Sequence, residues 1–204
     1  MSSVIADISV SLDGFITGPT DSMESLGQGV DRLHQWGYNL ASWREPHGLE
    51  GGETNADDAV MGEVWRNKGA IVMGRRMFDH GEGPWGDTPP FHMPVFVLTH
   101  HGREPLAKAG GTTFTFVTDG LESLVQQARA AAGDKDVLVA GGGDIIQQLV
   151  RAGLLDELQI HLIPVLLGDG IRLFEQSNAE PIELEIARVI ESAGVTHLRY
   201  RTSG

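Results

Sequence analysis

Three consecutive glycines, Gly141, Gly142 and Gly143, separate an apolar run from an amphipathic stretch in the sequence VLVAGGGDIIQQLV. The apolar run is typical of a buried strand, and the stretch after the glycines has helical periodicity. At the carboxyl edge of an α/β sheet, the unpaired N–H groups and the dipole of a helix N-terminus favour a phosphate. Glycine lacks the Cβ atom that would hold a pyrophosphate away from the main chain. The segment therefore predicts a phosphate-binding turn, with a tight turn that needs positive φ as the alternative. Asp144, the next residue, would oppose a phosphate there or cap the helix.

Two adjacent arginines repeat this arrangement in AIVMGRRMFD, where Gly74 ends an apolar run and Arg75 and Arg76 begin a helix pattern. Arginine is poorly placed at the positive end of a helix dipole unless an anion lies nearby. Guanidinium groups bind phosphates through paired hydrogen bonds, so these side chains could hold a 2′-phosphate such as that of NADPH. Ion pairs with the many carboxylates are the alternative. The triple glycine favours the anion site.

A third apolar run, VFVLTHHGREP, ends with Thr99, His100, His101 and Arg103. A hydroxyl group and a cationic neighbour at the carboxyl end of a strand suit a ribose phosphate. Adjacent histidines point in different directions on an extended segment, and the other histidines are scattered without ligand spacing. The sequence therefore predicts no metal site.

Asp13 follows the first strand pattern in ISVSLDGFITG, with Gly14 and Gly18 after it. Such a loop could close over a ligand, and Asp13 could then supply a carboxyl group to a heterocycle or a proton to the reaction. The alternative is a structural turn, because Asp-Gly is a common turn dipeptide. The sequence contains no nucleophile elbow or Walker motif, and without cysteine it has no thiol nucleophile.

These residues need a scaffold, and the chain alternates strand and helix patterns along most of its length. Strand patterns lie at 4–10, 69–74, 95–99, 113–118, 136–140, 156–168, 182–192 and 195–202; helix patterns lie at 29–43, 57–67, 121–133 and 143–153, and another begins at 75. Asn55 or Asp57, and also Asp119, are predicted helix caps. The alternation predicts an α/β fold with a central mostly parallel sheet, an antiparallel C-terminal edge and helices on both faces. No repeat or linker interrupts it, so residues 1–204 are predicted to form a single domain.

Composition restricts the class of protein. The chain has 15 Lys and Arg against 28 Asp and Glu, a formal net charge of −13, which argues against a nucleic-acid partner. No apolar run approaches the roughly 20 residues that span a bilayer, and the N-terminus lacks a basic region before an apolar stretch. No membrane partner is predicted, and a cytoplasmic location is the expectation.

Together, ISVSLDGFITG, IVMGRRMFD, VFVLTHH, VLVAGGGDIIQQL and DELQIHLIPVLLGDGIRLF resemble the dihydrofolate reductase-like superfamily. More narrowly, they resemble the RibD C-terminal family, the reductase domain of bacterial riboflavin biosynthesis. The resemblance covers about residues 4–202. It implies a mostly parallel sheet flanked by helices, with NADPH bound across the strand ends. It also implies a homodimer, because related domains often form one.

Carried over by position, the resemblance assigns a cofactor site. Gly74, Arg75 and Arg76 would meet the cofactor phosphates, and Thr99 and His100 would lie near the adenosine 2′-phosphate. The triple glycine would hold the pyrophosphate and approach the nicotinamide, with a cis Gly141–Gly142 peptide bond. The remaining predicted contacts are Ala6 at the nicotinamide end of the first strand, Ile16 in the covering loop, and Asp144 and Ile145 after the glycines.

The chain departs from the family at Ala140, where riboflavin-pathway reductases commonly have a glutamate. The predicted function is NADPH-dependent reduction of a small pyrimidine-type or pteridine-type heterocycle. It resembles that of 5-amino-6-(5-phosphoribosylamino)uracil reductase, with Asp13 as the proton source or heterocycle anchor. Dihydrofolate reductase, use of a deazaflavin, and a non-catalytic nucleotide-binding protein are the alternatives. Trp36, Trp43, Trp65 and Trp85 are expected mainly in the core, with an interface as their other use.

Overall fold

The computed structural model describes residues 2–19, 27, 29–175 and 180–202. In this part of the chain nine strands form one sheet: β1 (Val4–Ser11), β2 (Lys68–Gly74), β3 (Pro94–Leu98), β4 (Leu106–Ala107), β5 (Thr113–Val117), β6 (Asp136–Gly141), β7 (Glu157–Ile163), β8 (Leu184–Glu191) and β9 (Thr196–Thr202). The helices are α1 (Val30–His34), α2 (Ala41–Arg44), α3 (Ala56–Asn67), α4 (Arg75–Gly81), α5 (Leu121–Ala132) and α6 (Gly143–Arg151).

The strand order is β4-β5-β3-β2-β6-β1-β7-β9-β8. The pairs from β5 through β3, β2, β6 and β1 to β7 are all parallel. The last two strands pair antiparallel with each other, and β9 pairs antiparallel with β7. This arrangement confirms the predicted mostly parallel sheet with an antiparallel C-terminal edge.

Alternate residues of β2 separate two core clusters on opposite faces of the sheet. Ala70 and Val72 pack in a cluster that includes buried residues of α5 and α6. Ile71 and Met73 pack in a second cluster with Phe78 of α4. Helices therefore cover both faces, as the near-continuous apolar strand pattern predicts.

The predicted helix at 29–43 is wrong. The structure has the short helices α1 and α2 instead, joined by turns in which the Gly37 N–H donates to the His34 carbonyl at 2.9 Å. Leu40 then forms an isolated bridge with Glu53. Leu33 and Leu40 are buried, so the apolar spacing reflects burial of two short elements rather than one helix.

Two further boundaries differ from prediction. Strand β7 ends at Ile163 instead of continuing to 168, because Pro164 has no N–H to donate to a neighbouring strand. The N-cap of α5 is Gly120, with a φ of 96°, and Asp119 accepts a hydrogen bond from the Thr118 hydroxyl instead. The Asn55 prediction is confirmed, since its side chain accepts from the Asp58 N–H at the start of α3. None of the helices within the described ranges is long and apolar enough to cross a bilayer.

Candidate active site

A cleft of about 920 Å³ runs along the carboxyl edge of the sheet. Its lining follows the strand order: Thr118 after β5, Thr99 and His100 after β3, Gly74 to Arg76 at the end of β2, Gly141 to Ile145 at the end of β6, Asp7 and Ser9 in β1, and His161 in β7. Parallel strands end at the same edge of a sheet, so residues distant in sequence meet here. Of the predicted cofactor residues, all but Ala6 line this cleft.

The three glycines are needed for different physical reasons. Gly141 has a φ of 121°, which side chains rarely permit. A Cβ atom at position 143 would lie 3.0 Å from Ile16 Cδ1 and 3.1 Å from the Arg172 carbonyl oxygen, so a side chain there would have to displace these atoms slightly. At Gly142 a Cβ atom would meet nothing within 4 Å, so this main chain borders open space in the cleft. The positive-φ turn and the bare surface are thus both present, and the Gly141–Gly142 bond is cis, as the resemblance implies.

The two adjacent arginines begin α4 and both line the cleft. Arg75 Nε donates to Asp79 Oδ1, one helical turn away, at 2.6 Å. Arg75 therefore makes the carboxylate pair that was the alternative, while remaining at the wall of the cleft. Such partly exposed ion pairs contribute little stability. The Arg75 guanidinium can therefore leave the Asp79 carboxylate and pair with a bound anion at small cost.

Strand β3 delivers Thr99 and His100 to the same end. The buried Thr99 hydroxyl accepts from the His101 N–H at 3.1 Å, which fixes the turn after the strand, and His100 is exposed at the cleft. After β6, the Asp144 carboxylate accepts from Gln148 Nε2 at 2.6 Å, while Gly142 occupies the N-cap position of α6. Asp144 is thus a first-turn acid and not the cap.

Asp13 is not brought together with these residues. Its Oδ1 accepts from the Ser11 hydroxyl at 2.6 Å, and its carboxylate also accepts from the N–H groups of Leu167 and Gly168 at 3.2 and 2.7 Å. Burial would raise the pKa of Asp13, but these hydrogen bonds lower it. An ionised carboxylate tied to a loop is a poor proton donor, and its contacts hold the segment that carries Ile16.

Ala6 also lies apart from the cleft lining, since its side chain is fully buried in the core. The next residue, Asp7, points into the cleft instead. Its Oδ1 lies 3.0 Å from His161 Nε2. Neither Asp7 nor His161 was among the residues predicted from the sequence. The polar alternation of Asp7, Ser9 and Ser11 within an otherwise apolar central strand was a signal that could have found them.

All four tryptophans line the cleft, a location that the sequence analysis did not anticipate. Trp36 donates from Nε1 to the Ser9 hydroxyl at 3.1 Å and packs on the His161 ring at a centroid distance of 4.4 Å. Trp65 contacts the buried Lys68, whose Nζ is 2.9 Å from the ring centroid. The cleft therefore has glycines and arginines at the ends of β2 and β6, and an aromatic end with a carboxyl group at β1 and β7, where Trp36 lies by Asp7 and His161.

The sheet order and the cleft at its carboxyl edge define a dihydrofolate reductase-like fold, shared with solved RibD structures. The chain belongs to the RibD C-terminal domain family, which it matches over residues 2–198. The predicted family and fold class are therefore confirmed.

Individual relatives are distant. The riboflavin biosynthesis protein RibD of Corynebacterium ammoniagenes is 37% identical over 85 residues, covering 39% of this chain and 25% of RibD. The uncharacterized protein YyaP of Bacillus subtilis is 24% identical and covers 98% of this chain and 95% of its own. A crystal structure of a proposed riboflavin biosynthesis protein from Shewanella sp. PV-4 superposes with a TM-score of 0.71 at 22% identity, covering all of both chains. Acinetobacter baumannii RibD has a TM-score of 0.64 at 17% identity, covering 100% of this chain and 59% of its own.

Proposed function

We propose that this protein is an NADPH-dependent reductase of a small pyrimidine-type or pteridine-type heterocycle. The main observation in support of this function is a single continuous cleft. It joins a bare glycine turn and two arginines to an aromatic end that contains Asp7. A phosphorylated dinucleotide needs the first arrangement and a flat heterocycle needs the second. Membership of the RibD C-terminal domain family supports the same function.

The residues at the β2 and β6 ends fit the cofactor. A Cβ atom at Gly74 or Gly142 would project where a phosphate needs room, and neither position carries one. The residues proposed to hold NADPH are Gly74, Arg75, Arg76, Thr99, His100, Gly141, Gly142, Gly143, Asp144, Ile145 and Ile16, with Ala6 contributing main chain only. When bound, NADPH supplies a hydride from C4 of its nicotinamide ring.

The side chains of the protein must then supply the proton that the reduction also needs. A C=N or C=O bond is reduced when one hydride adds to carbon and one proton adds to the heteroatom. We propose Asp7 for this transfer instead of Asp13, because the Asp7 carboxyl group lies in the cleft wall whereas hydrogen bonds hold Asp13 in a turn. Trp36, which packs on His161, provides a flat apolar surface in the same wall of the cleft as Asp7.

Quenching of tryptophan fluorescence on titration with NADPH and NADH tests the proposal, because the tryptophans line the cleft. We expect NADPH to bind more tightly, and oxidation of NADPH to follow addition of 5-amino-6-(5-phosphoribosylamino)uracil or a related pyrimidine. Binding of neither nucleotide contradicts the proposal. Turnover of dihydrofolate alone would favour a dihydrofolate reductase, and tight NADPH binding without turnover of any heterocycle would favour a non-catalytic nucleotide-binding protein.

A homodimer is the second part of the proposal. Strand β8 ends the sheet order, and Ile182, Leu184, Ile186 and Val189 in and beside it are exposed. An apolar edge strand is a common site for pairing with another copy. Light scattering after gel filtration should give the mass of a dimer, and Ile186→Glu should give the mass of a monomer. A single domain over residues 1–204 and a cytoplasmic location stay predictions from the sequence.

A further inference from the structure

Two buried histidines connect two carboxyl groups in a continuous series of short contacts. His161 Nε2 lies 3.0 Å from Asp7 Oδ1, His161 Nδ1 lies 2.6 Å from His197 Nδ1, and His197 Nε2 lies 3.0 Å from Asp57 Oδ1. We call these four residues the Asp-His-His-Asp chain. Asp7 and His161 line the cleft, while the other two residues lie behind it.

Strand pairing and aromatic packing hold the Asp-His-His-Asp chain in place. His161 and His197 face each other directly across the antiparallel pair of β7 and β9. Their residues are only 3% and 1% exposed, so bulk water does not reach the contact between the rings. Trp36 covers both rings, at centroid distances of 4.4 and 5.0 Å.

The number of protons that the Asp-His-His-Asp chain needs is larger than two neutral histidines supply. Each of the three contacts joins two atoms that need one proton between them, since two bare lone pairs at such distances repel. Two neutral imidazole rings carry only two N–H groups, one each. A fully bonded chain therefore holds three protons, one more than the neutral rings supply. Two carboxylates flanking one cationic histidine pair satisfy this count.

We infer that the histidine pair is a proton reservoir for Asp7 during reduction in the cleft. This inference rests on the proposed reductase function. His161 Nε2 transfers its proton to Asp7 Oδ1, the proton between the two Nδ1 atoms remains on His161, and the histidine pair becomes neutral. The Asp7 carboxyl group then transfers that proton to the substrate heteroatom, while the hydride from NADPH adds to the neighbouring carbon.

At the far end of the Asp-His-His-Asp chain, the surroundings of Asp57 favour its charged form. Asp57 lies in the first turn of α3, where the helix dipole favours a negative charge. Its Oδ2 also accepts from the Ser192 hydroxyl at 2.9 Å. Ser192 is only half-buried, so protons from solvent have a short route to this end. The cationic histidine pair therefore lies between two carboxylates, one at the cleft and one near the surface.

The surrounding charges adjust how firmly the extra proton is held. Burial lowers the pKa of His197, and His161 lowers it further, against the hydrogen bond to Asp57 and the charges of Asp57 and Asp7. The buried Lys68 interacts with the charge of Asp7, and His34 on α1 interacts with that of His161. The lowered His197 pKa disfavours an extra proton on that ring, so the cationic ring is the one that contacts Asp7.

Nuclear magnetic resonance tests the reservoir without any cofactor. In protein labelled with ¹⁵N-histidine, we expect one strongly downfield proton shared by the two Nδ1 atoms, with both Nε2 atoms protonated. Raising the pH should remove one proton from the two rings together. Two rings that titrate independently, with no proton between them, would overturn the inference whether or not the protein is a reductase.

His197→Gln tests the same inference in turnover, because position 197 does not line the cleft. We expect kcat to fall roughly 10- to 100-fold, with the NADPH dissociation constant unchanged and the high-pH limb of kcat moved. The matched control is Thr112→Val, which alters a buried polar residue just before β5, far from Asp7 in the strand order, and should leave the pH profile unmoved. Equal pH profiles for wild type and His197→Gln would overturn the reservoir.

If His197→Gln does not fold, Asp57→Asn removes one flanking charge while keeping a side chain that can accept a hydrogen bond. It should also move the pH limb of kcat, and an unchanged limb counts against the inference. Failure of the wild type to bind or oxidise NADPH would instead contradict the proposed function, and leaves the resonance experiment decisive for the shared proton.

Discussion

Gly143 and Ile16 are in such close approach that a Cβ atom at position 143 would lie 3.0 Å from Ile16 Cδ1. The first loop therefore packs directly on the turn that begins α6. This contact joins the two segments proposed to enclose the nicotinamide end of the cofactor. A side chain at position 143 is therefore unfavourable for a packing reason that is separate from cofactor binding.

Substitution of two cleft glycines should separate packing from binding. A Cβ atom at Gly74 would come no closer than 3.9 Å to its nearest neighbours, and the Gly74 φ of −76° suits alanine. We expect Gly74→Ala to keep its unfolding temperature but to weaken NADPH about tenfold, because the methyl group projects toward the phosphate-binding turn. Gly143→Ala should lose about 1–3 kcal/mol of stability because it displaces Ile16 and the Arg172 carbonyl. Thermal unfolding and fluorescence titration measure both, and equal NADPH affinity for Gly74→Ala and wild type would contradict this assignment.

The parts of this site that depend on local sequence were predictable. A strand, a bare turn and a helix start lie within ten residues around Gly142, and the same order recurs around Gly74. The apolar spacing at 29–43 led to a wrong helix prediction. Leu33 and Leu40 are both buried, but Leu33 lies in α1 and Leu40 precedes α2. Local pattern therefore specified the glycine and arginine end of the cleft and failed where the chain turns back on itself.

The aromatic end depends on contacts between distant positions. Asp7 and His161 are 154 positions apart, and Asp57 and His197 are 140 positions apart. These pairs are brought together by strand register, with Ser9 beside His161 and His161 opposite His197. A single sequence does not reveal such register, although isolated polar residues in apolar strands indicate where to look.

The two arginines should determine the preference for NADPH over NADH. Arg75→Ala and Arg76→Ala together should weaken NADPH by at least tenfold more than NADH, because only NADPH has the 2′-phosphate. Stability should change little, since the Arg75 and Asp79 pair is partly exposed. Arg103→Ala is the matched control, because Arg103 pairs with Glu82 at 2.7 Å and is not among the cleft residues. Equal losses for the two nucleotides would refute the 2′-phosphate role.

Two aspartates separate proton delivery from loop support. Asp7→Asn should lower kcat by 100-fold or more while leaving the NADPH dissociation constant unchanged, because the amide is no acid at neutral pH. Asp13→Asn should chiefly weaken NADPH, because the carboxylate that ties the loop of Ile16 to Leu167 and Gly168 is lost. Steady-state kinetics with direct binding measurements distinguish the two. A larger loss of kcat in Asp13→Asn than in Asp7→Asn would restore Asp13 as the acid.

The Asp13 loop should also have a defined pH dependence. Because its hydrogen bonds lower the pKa of Asp13 below the ordinary value, the ionised loop contact contributes stability above the unfolded pKa. That contribution is lost as the pH falls through the folded pKa. Unfolding of wild type should therefore show an acid-dependent loss that is smaller in Asp13→Asn. Parallel curves for the two proteins between pH 5 and pH 2 would contradict the coupling.

Lys68 should make the protein less stable near neutral pH than at alkaline pH. Its residue is only 3% exposed, its ammonium group lies against the Trp65 ring, and burial lowers its pKa to about 7, against an opposing effect of Asp7. The unfolded chain keeps this proton up to about pH 10.4. Between these values the unfolded state binds more protons, so the free energy of unfolding rises with pH by up to about 1.4 kcal/mol per unit.

Lys68→Met should remove this slope and stabilise the protein at pH 7. The exposed Lys135→Met is the control, and urea unfolding at pH 7, 8 and 9 measures all three proteins. A stability difference between wild type and Lys68→Met that stays constant across that range would show that Lys68 remains charged in the folded protein.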